Sequence, residues 1–125
     1  MRIADSSFLL ALFNDQDRFH GDAQRLAQSP ETVLVPAETW CETVGVLHRR
    51  GRFAESLKIR AWILSRPNYS LVHSGEREHR LAWSVYEEQG GKVSLTDAVG
   101  VAWAKLESAA LLSFDARQVS AAGQR

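Results

Sequence analysis

Four short apolar runs alternate with segments of helical periodicity along this 125-residue chain, and that alternation restricts the fold more than any single residue does. The runs fall at residues 2–4, 32–35, 69–72 and 111–114. Between them, apolar residues recur at helical spacing over residues 6–13, 20–28, 37–50, 53–64, 75–89 and 94–108. Pro36 suits the start of one helix, and Gly51 and the Gly90-Gly91 pair suit the ends of two others. Short strands alternating with helices of about a dozen residues imply an α/β domain around a parallel sheet. No repeat, low-complexity stretch or linker interrupts the pattern, so residues 1–125 read as one domain. The tail at residues 116–125 is polar and is expected to fray.

Composition narrows the class. Hydrophobic residues make up 45%, enough for a real core, and no apolar run reaches the roughly 20 residues that span a bilayer. The N-terminus shows no signal-peptide apolar region. Cys41 is the single cysteine, which excludes an internal disulfide and fits a reducing cytoplasm; its apolar neighbours predict a buried structural thiol. Fifteen basic and fifteen acidic side chains cancel, yet residues 48–66 hold Arg49, Arg50, Arg52, Lys58, Arg60 and Arg66 against Glu55 alone. That segment is either an ordinary solvated face or a patch that steers phosphate, with Arg49, Arg50 and Arg52 as candidate phosphate contacts. Trp40, Trp62, Trp83 and Trp103 lie within apolar helical patterns, which favours packing over base stacking.

The acids are more informative. In an open parallel sheet, ligands bind beyond the carboxyl ends of the strands. Asp5 follows the first apolar run and Asp115 the last. Asp97 follows Ser94 and Thr96 at a helix start, where backbone N–H groups favour negative charge. Glu42 lies one to two turns inside the helix after Pro36, with Glu38 one turn before it as a rival on the same face. Each acid alone could be an ordinary loop, cap or surface residue. Gathered at one end of a sheet they would repel one another, and a divalent cation with oxygen ligands is the natural remedy.

These stretches resemble PIN-domain nucleases, in particular VapC-type toxins of toxin–antitoxin pairs. The resemblance rests on Ile3 to Leu10 around Asp5 and Ser7, and on Pro36 to Leu47 around Glu42. Leu95 to Ala104 around Asp97, Leu111 to Asp115, and Asp17 to Ala23 complete it. It implies a three-layer α/β/α fold with a central parallel sheet of four or five short strands. It also implies a catalytic, metal-holding quartet of Asp5, Glu42, Asp97 and Asp115, with Ser7 and Ser113 in support. The activity so implied is RNA hydrolysis dependent on Mg2+ or Mn2+ by a homodimer, with a VapB-type antitoxin as partner. A catalytically silent module that binds RNA or protein is the alternative. A phosphoryl-transfer domain of the haloacid-dehalogenase type would place a second Asp at position 7, where this chain has Ser7.

Overall fold

The computed structural model describes residues 1–124 and follows the alternation closely. Strand β1 (Arg2–Ala4) leads to helices α1 (Ser6–Phe13) and α2 (His20–Ala27). Strand β2 (Val33–Pro36) is followed by α3 (Ala37–Arg49) and α4 (Phe53–Ser65). Strand β3 (Tyr69–Val72) precedes α5 (Glu76–Gln89) and α6 (Leu95–Leu106), and β4 (Ala110–Leu112) precedes α7 (Ala116–Ala121).

The four strands pair in parallel in the order β3-β2-β1-β4. Successive side chains on a strand point to opposite faces, and the two cores divide accordingly. Ala4, Val33, Val35 and Leu112 pack with α1 to α4, together with the fully buried Phe8, Leu9, Leu47, Ile59 and Ile63. Ile3 and Leu111 face α5, α6 and α7, meeting Ala82, Val85, Ala98, Val101, Ala102 and Ala121. The result is the expected three-layer α/β/α sandwich. Small residues on α6 (Ala98, Gly100, Ala102 and Ala104) are all buried and let that helix lie close against the sheet.

The connection out of β1 runs toward β2 over one face, and the chain returns across β3 to place β4 on the other side of β1. Helix α1 therefore leaves β1 over one layer while α7 leaves β4 over the other. A crevice opens where adjacent parallel strands send their chains to opposite faces.

Two expectations need correction. The tail does not fray: residues 116–121 form α7, and Gln118 is buried, its amide donating to the Asp97 carbonyl at 3.2 Å. Beyond it, the Gln124 side chain accepts from the Leu111 N–H at 2.8 Å and donates to the Ala109 carbonyl at 3.0 Å, so an amide side chain stands in for a neighbouring strand at the edge of β4. Arg125, also assigned to that tail, lies outside the described residues. Second, Cys41 is exposed: α3 buries Thr39, Thr43 and Leu47, a stripe of four-residue spacing that turns Cys41 away from the core. Helix α4 buries Ser56, Ile59 and Ile63 and leaves Phe53 and Leu57 more than half exposed, although both are apolar. Among the described residues no helix is long and apolar enough to cross a membrane.

Candidate metal centre and nucleic-acid interface

Asp5 is the residue at which β1 becomes α1. Its extended backbone places it at the N-cap of α1, where Oδ2 accepts the Ser7 N–H at 3.1 Å and the Ser7 hydroxyl at 2.6 Å. The Ser113 hydroxyl, from the end of β4, donates to the same oxygen at 2.9 Å. Ser7 Oγ in turn accepts the Phe114 N–H at 2.9 Å, and Ser113 Oγ accepts the Asp115 N–H at 3.0 Å. Two serines thus lash the carboxyl ends of β1 and β4 together around one oxygen of Asp5, which is only 3% exposed.

Asp115 caps α7 through Oδ1, which accepts the Arg117 N–H at 2.9 Å, and the Arg117 guanidinium lies 3.8 Å from the same oxygen. Asp97 occupies the third position of α6 in a reciprocal cap with Ser94: the Ser94 hydroxyl accepts the Asp97 N–H at 3.0 Å and Asp97 Oδ2 accepts the Ser94 N–H at 3.2 Å. Burial raises the Asp97 carboxyl above the ordinary range, with the Asp5 and Asp115 charges adding to the effect and the Ser94 bonds opposing it.

Glu42 completes the group from α3. Burial pushes its carboxyl up to about 7, helped by the charges of Asp97 and Asp5 and offset by Arg49. Its Oε2 is buried with no hydrogen-bond partner among the described residues. A carboxylate oxygen withdrawn from water and left without a donor is costly unless a cation meets it. Glu42 thus sits electrostatically within reach of Asp5 and Asp97, and Asp97 within reach of Asp115.

The rival, Glu38, is differently engaged. Its Oε1 accepts the Ser74 hydroxyl at 3.0 Å and its Oε2 lies 2.6 Å from His79 Nε2. Ser74 also accepts the Trp103 indole N–H at 2.9 Å. Burial works to raise the Glu38 carboxyl, but bonds from His79, its own backbone and Ser74 outweigh it and hold the group below its usual value. Both oxygens are spoken for, and the network ties α3 to α5 and α6.

Among the described residues no three Asp, Glu, His or Cys side chains already close on one ion-sized point. Hard cations that keep several waters, binding one or two carboxylates directly, tolerate such spacing. The unpartnered oxygen of Glu42 and the mutual repulsion of Glu42, Asp97 and Asp5 make the set a fit for one.

The basic candidates separate. Arg49 lies on the Glu42 side of α3 and is exposed, and Arg50 lines a groove beside Ser7 and Phe114. Arg52 instead pairs with Asp15 at 3.4 Å and Glu55 at 3.8 Å. Two cations escaped the sequence reading. Arg117 beside Asp115 carries no periodic or motif signal, and Arg18 becomes visible only once α2 folds back on α1. Of the tryptophans, Trp62 packs edge-on against Phe13 and Tyr69 and Trp103 is buried, whereas Trp83 stands 53% exposed.

The model of one family, described as the PIN domain, matches residues 2–124 of this chain. Among solved structures, VapC20 of Mycobacterium tuberculosis, a sarcin–ricin loop cleaving toxin, is similar at 28% identity and a TM-score of 0.86, covering 100% of this chain and 97% of that one. FitAcB from Neisseria gonorrhoeae shares the fold at 15% identity and a TM-score of 0.71, covering 99% and 94%. A toxin–antitoxin complex from Klebsiella pneumoniae does so at 19% and 0.63, covering 89% and 83%. A comparison with curated protein sequences returns no match.

Proposed function

The chain belongs to the PIN-domain family, and on that footing we propose that it is a Mg2+- or Mn2+-dependent endoribonuclease, the toxin of a VapBC-type toxin–antitoxin pair. The observation that supports the catalytic reading is the electrostatic coupling of Glu42 with Asp97 and Asp5, and of Asp97 with Asp115, with Glu42 Oε2 buried and unpartnered among the described residues. The similarity to VapC20, a sarcin–ricin loop cleaving toxin, supports RNA as the substrate.

When bound, Mg2+ or Mn2+ supplies Lewis acidity to the scissile phosphate and to the attacking water. Asp5 and Asp115 would hold the cation directly, with Asp97 completing the set. Ser7 and Ser113 fix Asp5 Oδ2, so the carboxylate meets the cation without first being ordered. With a cation held by the site, Glu42 would be ionised and would take the proton of the attacking water or hold that water in line. Arg49 and Arg50 draw the RNA backbone toward the acids, while Arg52 is occupied by Asp15 and Glu55.

A homodimer, a VapB-type antitoxin and a cytoplasmic location belong to the same reading. Exposed apolar side chains, among them Phe53 and Leu57 one turn apart on α4 and Trp83 on α5, offer surface for such protein partners.

The test is direct. The protein is incubated with a mixed RNA substrate, with Mg2+, with Mn2+ and with chelator, beside Asp5→Asn and Asp115→Asn variants shown by circular dichroism to be folded. Metal-dependent cleavage by the wild type alone is expected. Equal cleavage by wild type and variants, or none with either metal, overturns the proposal and favours a silent binding module.

A further inference from the structure

A groove of about 500 Å3 begins at Ser7, the serine bonded to Asp5, and runs away from the acids over the α1–α2 connection. Its walls include Asn14, Arg18, Phe19, Arg50 and Phe114. Phe19 and Phe114 stack face to face, with centroids 4.6 Å apart and planes within 5°. The Arg18 guanidinium lies over the Phe19 ring, 4.5 Å from its centroid. Arg18 and Arg50 are both exposed, and neither pairs with a carboxylate among the described residues. The one acid lining the groove among the described residues, Asp17, has its Oδ1 committed to the Phe19 N–H at 2.8 Å.

We infer that this groove is a nucleotide subsite, holding the single-stranded RNA residue next to the scissile phosphate. Phe114 stands between Ser113 and Asp115, so a phosphate held at the acids places its neighbouring nucleotide against the Phe114–Phe19 wall. An arginine held over an aromatic ring offers a stacking surface for a base and N–H donors to phosphate. Arg50 supplies the second cationic contact. Unstacked bases of single strands are what such a surface accepts; a duplex keeps its bases turned inward. Charge complementarity favours a polyanion over a protein segment here, since two unpaired guanidiniums flank the aromatic wall.

The inference rests on the nuclease reading for its substrate, but its test does not require cleavage. A fluorescently labelled single-stranded RNA oligonucleotide is titrated with the protein in chelator over a series of salt concentrations. Arg18→Ala and Arg50→Ala are each expected to weaken binding about tenfold and to lower the slope of log affinity against log salt by about 0.7. Phe19→Leu is expected to weaken binding about fivefold or more while leaving that slope unchanged, because stacking releases no counterions. Arg77→Ala, on the opposite layer, is the control and leaves both quantities unchanged. Wild-type affinity and slope in Arg18→Ala and Arg50→Ala, with the RNA still bound, overturn the subsite and assign the groove to another partner. An equal loss in Arg77→Ala also overturns it, because the attraction is then diffuse. RNA binding through Arg18 and Arg50 without metal-dependent cleavage keeps the subsite and removes the nuclease reading; cleavage with unaltered binding in both variants does the reverse.

Discussion

Ser113 and Asp5, 108 positions apart in the chain, meet across 2.9 Å where β4 and β1 end, the hydroxyl donating to Asp5 Oδ2. The contact needs the parallel pairing of Ala4 with Leu112, which brings both strands to their carboxyl ends at the same level. Removing the hydroxyl with Ser113→Ala costs about 1 kcal/mol of stability. Its larger effect falls on the carboxylate it orients: metal affinity, read by isothermal titration calorimetry, drops about 10- to 100-fold. Unchanged affinity in a folded variant would separate Ser113 from the metal site.

Glu42 gives a pH signature. Its folded carboxyl titrates at about 7, well above its value of 4.5 outside the fold. Between those values the folded state holds more protons than the unfolded one, so metal-free stability falls as pH rises from about 4.5 to about 7 and levels off above. Glu42→Gln removes that slope. At pH 8 in chelator the variant is more stable than the wild type by about 1–2 kcal/mol, a figure already reduced for partial solvent screening. Denaturant titrations at pH 5 and pH 8 check this, and a wild type that grows more stable across the interval refutes it.

Glu38 has the opposite sign. Its folded carboxyl is held low, so its contribution is present above the ordinary carboxylate range and is lost as pH falls through the folded value. Glu38→Gln is expected to cost about 1 kcal/mol at pH 7, fading in acid, and to alter Trp103 fluorescence through Ser74. Metal-dependent cleavage persists in this variant and is abolished in Glu42→Gln, which tells the two helix acids apart.

Helix α4 supplies a packing prediction. Ile59 is fully buried and Leu57 is 64% exposed. Ile59→Ala is expected to cost about 2–5 kcal/mol and Leu57→Ala less than about 0.5 kcal/mol in the isolated chain. Thermal melts at low protein concentration measure both, and comparable losses would contradict the observed helix register.

At the edge of the sheet, Gln124→Ala leaves the Leu111 N–H and the Ala109 carbonyl without their side-chain partners. A loss of about 1–2 kcal/mol is expected. Amide hydrogen exchange at Leu111, faster in the variant, localises the effect.

Much of this molecule is local and therefore legible in the residues. Strand-to-helix order and the stop at Gly90 follow from side-chain chemistry within a few positions. Where exposure depends on what packs from outside, sequence pattern fails. Phe53 and Leu57 carry the apolar spacing of a buried face, yet the sheet presses on Ile59 and Ile63 instead. Cys41 sits among apolar neighbours in the chain but not in space. The polar tail folds because Gln118 and Gln124 find backbone partners supplied by α6 and β4, which no local reading can see.

By itself the sequence determined the alternation that makes a parallel sheet and the strand-end and helix-start positions of Asp5, Asp115 and Asp97. Only the tertiary structure decided between Glu38 and Glu42 as the acid with a free oxygen, because both share one helix face and differ only in what other elements bring to them. Ser74 and His79 satisfy Glu38, whereas Asp97 and Asp5 confront Glu42 with like charge and leave its buried oxygen unpartnered. Periodicity assigns a side chain to a face; its charge state and bonding are set by neighbours distant in the chain.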